Sequence, residues 1–348
     1  MIQGMDSLQI SNMSGIPSSE NVLHQSSLRQ SMVDHLLSID DVADDLADIL
    51  RWAISLKQDT EFADDFKPLD GLSIGSIYEK PSTRTRVSFE TGIHKLGGQP
   101  LTLLKADIQL GKSETIADTA QVLSRYLDAL TYRCFAHSDV EELAAHSGIP
   151  VINALSDKHH PCQAAADFMT MMEKDPEFKQ TRVAWVGDGN NVLHDLILGC
   201  SILGIDCTWA VPEGYEPDED VVLKAMELAE ASGAELRQTH EPEDAVSGAT
   251  IIYTDVFVSM GEENQVDKVG DFEGFQINME LLTVADEDWS FMHCLPAHRG
   301  DEVTDEVMDH EKSIVFDQAE NRMWAQMSLL TYLCDMGAWE TWVEFLEL

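Results

Sequence analysis

Short apolar runs alternate with amphipathic stretches along the chain from about residue 36 onward. The apolar runs predict strands at 72–78, 129–135, 151–155, 183–186, 207–211, 250–253, 291–295 and 313–316. Helical periodicity predicts helices at 87–96, 113–127, 163–172, 191–203, 218–231 and 320–332, the last extending to about 345. Strands that alternate with helices indicate an α/β fold of mainly parallel sheets flanked by helices.

Charged residues and a proline interrupt this pattern near 174–181 and indicate a boundary between two domains. A chain of 348 residues is long enough for both. Ligands of parallel sheets bind beyond the carboxyl ends of the strands, so we expect an active site between the domains. The predicted segments are a flexible leader or non-native start at 1–31, a first domain at 32–174, a second domain at 175–317, and a C-terminal helix at 318–348 that packs back on the first domain.

The charge balance excludes several classes of partner. The chain has 63 Asp and Glu against 22 Lys and Arg, a formal net charge of -41. A field of this sign repels nucleic acid and anionic membranes, and no apolar stretch reaches the roughly 18–20 residues of a membrane span. The N-terminus lacks a secretory signal pattern, and the six scattered cysteines form no CxxC pair. We therefore expect a cytoplasmic protein with free thiols.

One motif has the chemistry of a phosphate site. Ser82, Thr83, Arg84, Thr85 and Arg86 follow a proline between a predicted strand and a predicted helix. Backbone N–H groups at a helix start favour an anion, and one guanidinium group can donate two parallel hydrogen bonds to phosphate oxygens. Ser82 is the expected N-cap residue. The alternative is an ordinary capped helix with surface arginines.

This motif resembles the carbamoyl-phosphate motif of the transcarbamylases, the aspartate and ornithine carbamoyltransferase family. Further segments resemble the family in the same order over roughly 36–332: the loop around Gln109, the strand end at Arg133, and the segment from His160 to Gln163. The family's loop at Gln109 reaches a neighbouring subunit's site, which implies a homotrimer or a multiple of it. The resemblance implies no cofactor and no metal.

The resemblance also implies residue roles. The carbamoyl-phosphate residues are Ser82, Thr83, Arg84, Thr85, Gln109, Arg133, His160, Gln163, Cys294, Leu295 and Arg322. Attack of an amine on the carbonyl places negative charge on its oxygen, and donors aimed at that oxygen contribute strongly to catalysis. Thr85, Arg133 and His160 are the donors expected there.

The second half of the chain resembles the ornithine branch of the family. Three segments carry this resemblance, and they are 187–191, 255–261 and 293–299. An acid and a thiol, Asp255 and Cys294, suit a cationic side chain, whereas aspartate would require cations. The implied ornithine residues are Asn191, Asp255, Ser259 and Met260, and the implied catalytic residues are Arg133, His160, Asp255 and Cys294. Whether Cys294 acts as a base or as a hydrogen-bond partner stays open, as does the direction of the reaction in the cell.

Four other interpretations compete with this one. Gly187 and Gly189 after a strand could indicate a dinucleotide-binding oxidoreductase, but position 192 lacks the third glycine. A metal site could gather the six residues His159, His160, Cys162, His293, Cys294 and His298, although their spacing is not that of structural zinc. A non-catalytic relative, or a carbamoyltransferase acting on putrescine or an N-acylated ornithine, would share most of the motifs.

We predict that the protein requires salt. Self-repulsion at a net charge of -41 destabilises the fold, and salt near about 1 M reduces the screening length to about 3 Å. Thermal unfolding and activity measured from low to molar KCl should both rise with salt, as in a protein from a salt-rich cytoplasm. Equal stability and activity at both ends of the range would contradict this prediction.

Overall fold

Two parallel sheets with helices on their faces form the framework of the chain. The computed structural model describes residues 34–259 and 268–346. The strand order is β2-β1-β3-β4 in the first sheet and β7-β6-β5-β8-β9 in the second. Every strand pair within them is parallel, so the carboxyl ends of neighbouring strands lie at one edge of each sheet. The predicted α/β class is confirmed.

The first sheet is built from the N-terminal half of the chain. Its strands are β1 (Ser73–Tyr78), β2 (Gln99–Leu104), β3 (Ala129–Arg133) and β4 (Val151–Leu155). The helices of this half are α1 (Leu46–Gln58), α2 (Thr60–Asp65), α3 (Arg84–Lys95), α4 (Ile116–Leu123), α5 (His137–His146) and α6 (Pro161–Lys174), preceded by a 3-10 turn at Ile39–Val42. The segment before α1 also reaches the sheet, because Leu36 forms a parallel bridge with Ile152.

The second sheet follows after α6. Its strands are β5 (Arg182–Val186), β6 (Asp206–Ala210), β7 (Leu236–Thr239), β8 (Ile251–Thr254) and β9 (Ser290–His293). The helices are α7 (Asn191–Leu203), α8 (Glu219–Ser232), α9 (Pro242–Val246), α10 (Lys268–Asp271) and α11 (Asp305–Met308), with a 3-10 turn at Leu281–Val284. Among the described residues, no helix has the length and apolar composition that a membrane span needs.

The C-terminal helices return to the first half. Helix α12 (Val315–Cys334) packs on α1, α3 and α6, and α13 (Met336–Leu346) follows it. Polar side chains on α12 fix this position: Ser328 Oγ donates to the carbonyl of Ile49 at 2.7 Å. Asn321 Nδ2 donates to Thr170 Oγ1 at 2.9 Å. The helix therefore joins the end of the second sheet to the core of the first.

A close approach between α6 and α7 brings the two sheets together. Both helices are buried over most of their length, as expected from their apolar sequences. A Cβ atom at Gly199 of α7 would lie 2.1 Å from Cε2 of Phe168 on α6, which no side chain could occupy without displacing the ring. Glycine at this position lets the helices pack face to face.

Three expectations about secondary structure were wrong. The segment 313–316 is not a strand: Ser313 forms one isolated bridge with Phe291, and Val315 begins α12. The long terminal helix is interrupted at Asp335, whose backbone is not helical. The pattern also missed β2 and β7, since these edge strands are partly exposed and mix polar with apolar residues.

Candidate active site

A cleft of about 1370 Å³ lies where the strand ends of the two sheets face each other. Its walls include the loops after β1, β3 and β4 on one side and those after β5, β8 and β9 on the other. The predicted site residues that line it are Ser82, Thr83, Arg84, Thr85, Arg133, His160, Gln163, Asn191, Asp255, Ser259, Cys294, Leu295 and Arg322. Residues separated by up to 240 positions thus share one cavity.

The phosphate motif sits at the start of α3. The helix begins at Arg84, so Thr83 and not Ser82 holds the N-cap position. Ser82 nevertheless caps a helical donor, since its Oγ accepts the backbone N–H of Thr85 at 3.2 Å. The prediction of Ser82 as N-cap is therefore wrong by one residue, while its side chain still satisfies an N–H that the helix leaves free.

Thr85 is the meeting point of two arginines. Its Oγ1 accepts from Arg322 at 3.1 Å and from Arg133 at 3.5 Å. Arg322 also donates to Oε1 of Gln163 at 2.7 Å. Both guanidinium groups are almost completely buried, and burial together with the neighbouring Arg322 lowers the pKa of Arg133 to about 10. Two buried cations side by side create a strongly anion-attracting position.

His160 occupies the turn that begins α6. Its backbone N–H donates to the carboxylate of Asp195 on α7, which fixes the turn against the second half of the chain. Burial, with Arg322 and Arg133 nearby, lowers the pKa of the His160 imidazole well below its usual value. The ring is therefore neutral at physiological pH, and one nitrogen carries a proton to donate. Its Nδ1 has no hydrogen-bond partner among the described residues.

An acid and a thiol face each other at the ends of β8 and β9. The Cys294 S–H donates to Asp255 Oδ1 at 2.9 Å, and Asn190 Nδ2 donates to Asp255 Oδ2 at 2.9 Å. Burial and the Asp255 carboxylate raise the pKa of the Cys294 thiol well above its usual value. The thiol is thus protonated at neutral pH and acts as a donor, not as a thiolate.

Leu295 follows in a left-handed conformation, with φ of 58°. This region is unfavourable for a branched side chain and persists where the surroundings hold it. The Leu295 N–H donates to Nδ1 of His293 at 2.9 Å, and Nε2 of His293 lies 3.2 Å from the buried Glu302. The backbone at Cys294 and Leu295 is therefore held rigidly at the cleft.

Two predicted site residues, Asn191 and Gln109, have hydrogen-bond partners within the chain. Asn191 lines the cleft but donates its side-chain amide to the carbonyl of Ser156 at 2.6 Å. Gln109 is exposed and lines a separate cavity, where Ser113 Oγ donates to its Oε1 at 2.9 Å. Met260 lies outside the described residues. Within one chain, Gln109 thus stands apart from the cleft.

Lys80 is a site residue that sequence reasoning missed. It lines the cleft, is buried, and its Nζ lies 4.7 Å from the centre of the Phe135 ring. Burial and Arg133 lower the pKa of its ammonium group. The signal was available, because Lys80 stands two residues before Ser82 in the phosphate motif. Asn190 was also missed, as its neighbour Asn191 carried the family match.

The competing site interpretations find little support in the geometry. Among the described residues, potential metal ligands converge as Asp255 with His293 and Cys294, and as His298 with Asp301 and Glu302. Neither group is the six-residue set considered from the sequence. A Cβ at Gly189 would lie 2.4 Å from the backbone of Tyr215 and Pro217, so this glycine admits another chain segment and not a dinucleotide.

Two family models match the chain over most of its length. Residues 34–173 match the carbamoyl-P binding domain of aspartate/ornithine carbamoyltransferase, and residues 179–333 match the Asp/Orn binding domain. A protein from Bacillus thuringiensis subsp. konkukian (strain 97-27) named ornithine carbamoyltransferase is 48% identical over 300 residues, which cover 86% of this chain and 93% of the relative.

Solved structures show the same similarity. The ornithine carbamoyltransferase from Pyrococcus furiosus is 48% identical with a TM-score of 0.84, covering 88% of this chain and 98% of the other. The ornithine transcarbamoylase from Giardia lamblia is 31% identical with a TM-score of 0.78, covering 87% and 98%. Both the sequence and the fold support one assignment: the chain belongs to the aspartate/ornithine carbamoyltransferase family.

Proposed function

We propose that the protein transfers the carbamoyl group of carbamoyl phosphate to the side-chain amine of L-ornithine, forming L-citrulline and phosphate. The observation that carries this proposal is the Asp255–Cys294 pair, 2.9 Å apart, on the wall of the cleft that the second sheet forms. A carboxylate there attracts a cationic side chain, whereas a substrate with a second carboxylate would be repelled.

The opposite wall supplies the groups that carbamoyl phosphate requires. Ser82, Thr83 and Arg84 at the start of α3 would bind the phosphate, with Lys80 as a further cation. Thr85, Arg133 and the neutral His160 would donate to the carbonyl oxygen as it acquires negative charge. Gln163 and Arg322 would hold the rest of the carbamoyl group, together with the backbone of Leu295 on the second sheet's side of the cleft.

The protonation state of Cys294 favours one of its two possible roles. A thiol whose pKa is raised well above its usual value is a poor general base at neutral pH. We infer that Cys294 orients the attacking amine as a hydrogen-bond partner. The Asp255 carboxylate pairs with the positive charge of this amine group in its ammonium form. Asn191, Ser259 and Met260 would bind the amino-acid end of ornithine.

We propose three wider properties on the same basis. The first is the division into a carbamoyl-phosphate domain at 32–174, which the helix at 318–348 joins, and an ornithine domain at 175–317. The second is a cytoplasmic location with a role in arginine metabolism. The third is a homotrimer or a multiple of it, in which Gln109 completes a neighbour's site. The exposure of Gln109 and its distance from its own chain's cleft support this last property.

We predict that ornithine is the preferred acceptor. Product formation from carbamoyl phosphate should be measured with L-ornithine, L-aspartate, putrescine and N-acetyl-L-ornithine at high salt. Ornithine should give a higher kcat/KM than aspartate, because a cationic side chain matches Asp255. It should also exceed putrescine and N-acetyl-L-ornithine, because these lack the free amino-acid end that Asn191, Ser259 and Met260 would bind. Activity with aspartate alone would contradict the proposal, and a preference for putrescine or the acetylated amine would redefine the acceptor.

We predict that Asp255→Asn lowers kcat/KM for ornithine by about 30- to 1,000-fold, since the amide removes a charge that pairs with the substrate. Inhibition by inorganic phosphate should change little, because Asp255 lies on the opposite wall from Ser82 and Arg84. The matched control is Asp220→Asn, which removes an exposed carboxylate at the same cleft and should stay within about 2-fold of the parent. Equal losses of kcat/KM in the two variants would show that the net charge of the cleft matters and not a specific contact of Asp255.

We predict that sites are shared between subunits. Gln109→Ala and Arg84→Ala should each be nearly inactive, and mixing them should restore activity, because a mixed trimer contains about one site with both residues intact. Reassembly is measured by denaturing and refolding the two variants together, with each refolded alone as the control. If activity does not recover although mixed trimers form, Gln109 does not serve a neighbour's site.

A further inference from the structure

Asp167 is a buried carboxylate to which the mechanism above gives no role. It lies in the middle of α6 and is completely shielded from solvent. Its Oδ1 accepts from Gln163 Nε2 at 2.8 Å and from Gln318 Nε2 at 2.7 Å, while its Oδ2 accepts from the Tyr253 hydroxyl at 2.8 Å. All three donors are neutral. One carboxylate oxygen thus holds two glutamine amides from different helices.

The first glutamine leads to the carbamoyl-phosphate side. Gln163 lies one turn before Asp167 on α6 and lines the cleft. Its Oε1 accepts from Arg322 at 2.7 Å, and Arg322 donates in turn to Thr85 at 3.1 Å. The orientation of the Gln163 amide therefore determines how a guanidinium and an amide group face the bound carbamoyl group.

The second glutamine leads to the amine side. Gln318 on α12 accepts the backbone N–H of His293 on its Oε1 at 2.9 Å. His293 immediately precedes Cys294, whose thiol donates to Asp255. The hydrogen bonds through Gln163, Asp167 and Gln318 consequently connect both walls of the cleft.

The chemistry of the outer partners fixes both amides. A guanidinium group and a backbone N–H can only donate, so Gln163 must turn its oxygen to Arg322 and Gln318 must turn its oxygen to His293. Each amide then points its NH₂ group at Asp167. The position between them requires a hydrogen-bond acceptor, and a donor or an apolar group there would leave buried amides without partners.

Asp167 can accept the hydrogen bonds of both glutamines whether or not it is protonated. Burial raises the pKa of Asp167 to about 7, against the lowering effect of its hydrogen bonds to Gln163, Gln318 and Tyr253 and of the nearby Arg322. A proton taken up near neutral pH can lie on Oδ2, where the Tyr253 oxygen can accept its hydrogen bond. Oδ1 remains an acceptor for both glutamines, so the geometry does not depend on the charge.

We infer that Asp167 is a positioning residue that sets, through a single oxygen atom, the orientation of Gln163 toward the carbamoyl group and of Gln318 toward the chain at His293 and Cys294. This inference rests on the proposed function, because it assigns the two walls to the two substrates. It acts on the chemical step, and the residues that would bind the phosphate, Ser82, Thr83 and Arg84, lie outside these hydrogen bonds.

The test compares Asp167→Leu with Asp167→Asn. Leucine has the same branching of heavy atoms but two larger methyl groups in place of the oxygens and no acceptor, so we expect kcat to fall by about 30- to 100-fold as both amides lose their orientation. Asparagine keeps Oδ1 and can donate from its Nδ2 to Tyr253, so we expect kcat within about 5-fold of the parent. Binding of inorganic phosphate, measured by calorimetry without ornithine, should be unchanged in both variants.

The outcomes separate this inference from its alternatives. Asp167→Asn as impaired as Asp167→Leu would show that the charge matters and not the acceptor, which overturns the inference. An active Asp167→Leu would also overturn it.

A second variant keeps the inference testable if Asp167→Leu does not fold. Gln318→Leu removes only the hydrogen bonds toward His293 and should lower kcat about 10-fold with an unchanged KM for carbamoyl phosphate. Parental kcat in this variant would count against positioning through His293. If the proposed function itself is wrong, the parent protein will be inactive with ornithine.

Discussion

Buried positive charge is the constraint around which this cleft is organised. Arg133 and Arg322 are almost completely buried, and within the described residues their side chains donate hydrogen bonds to the neutral oxygens of Thr85 and Gln163. Burial lowers the pKa of Arg133, and the neighbouring guanidinium of Arg322 lowers it further because the two positive charges repel each other. An anionic substrate relieves this repulsion, so the protein attracts such a substrate locally despite a net charge of -41.

The opposite wall has the complementary chemistry. Asp255 receives hydrogen bonds from Asn190 and from the protonated thiol of Cys294, which leaves a carboxylate directed at the same cavity. Opposite charges on facing walls direct the two oppositely charged substrate groups to opposite sides of the cleft, and this requires no conformational change. The neutral His160 suits this cleft, because a hydrogen-bond donor without charge stabilises an oxyanion and does not repel a cationic amine substrate.

Most of the fold could be predicted from local sequence, and most of the predicted site residues line one cleft. The exceptions have physical causes. Buried strands and helices were predictable because their apolar residues follow the period of the element. Segment 313–316 was predicted to be a strand, because a short apolar run looks the same in a buried strand and at the start of a buried helix. Asp167 and Gln318 went unnoticed because their importance arises from hydrogen bonds across 151 residues of sequence. Such pairings belong to tertiary structure and leave no periodic signal.

The return of α12 to the first half has a consequence for how the protein is made. Thr85 and Gln163 are translated early, but the guanidinium that bonds both belongs to Arg322, close to the C-terminus. A ribosome must therefore complete nearly the whole chain before the carbamoyl-phosphate wall possesses all its cations. Until then the helix surface that α12 covers, formed by α1, α3 and α6, stays exposed on the nascent polypeptide. Premature termination before Arg322 in α12 would yield a chain with both sheets but without a complete site.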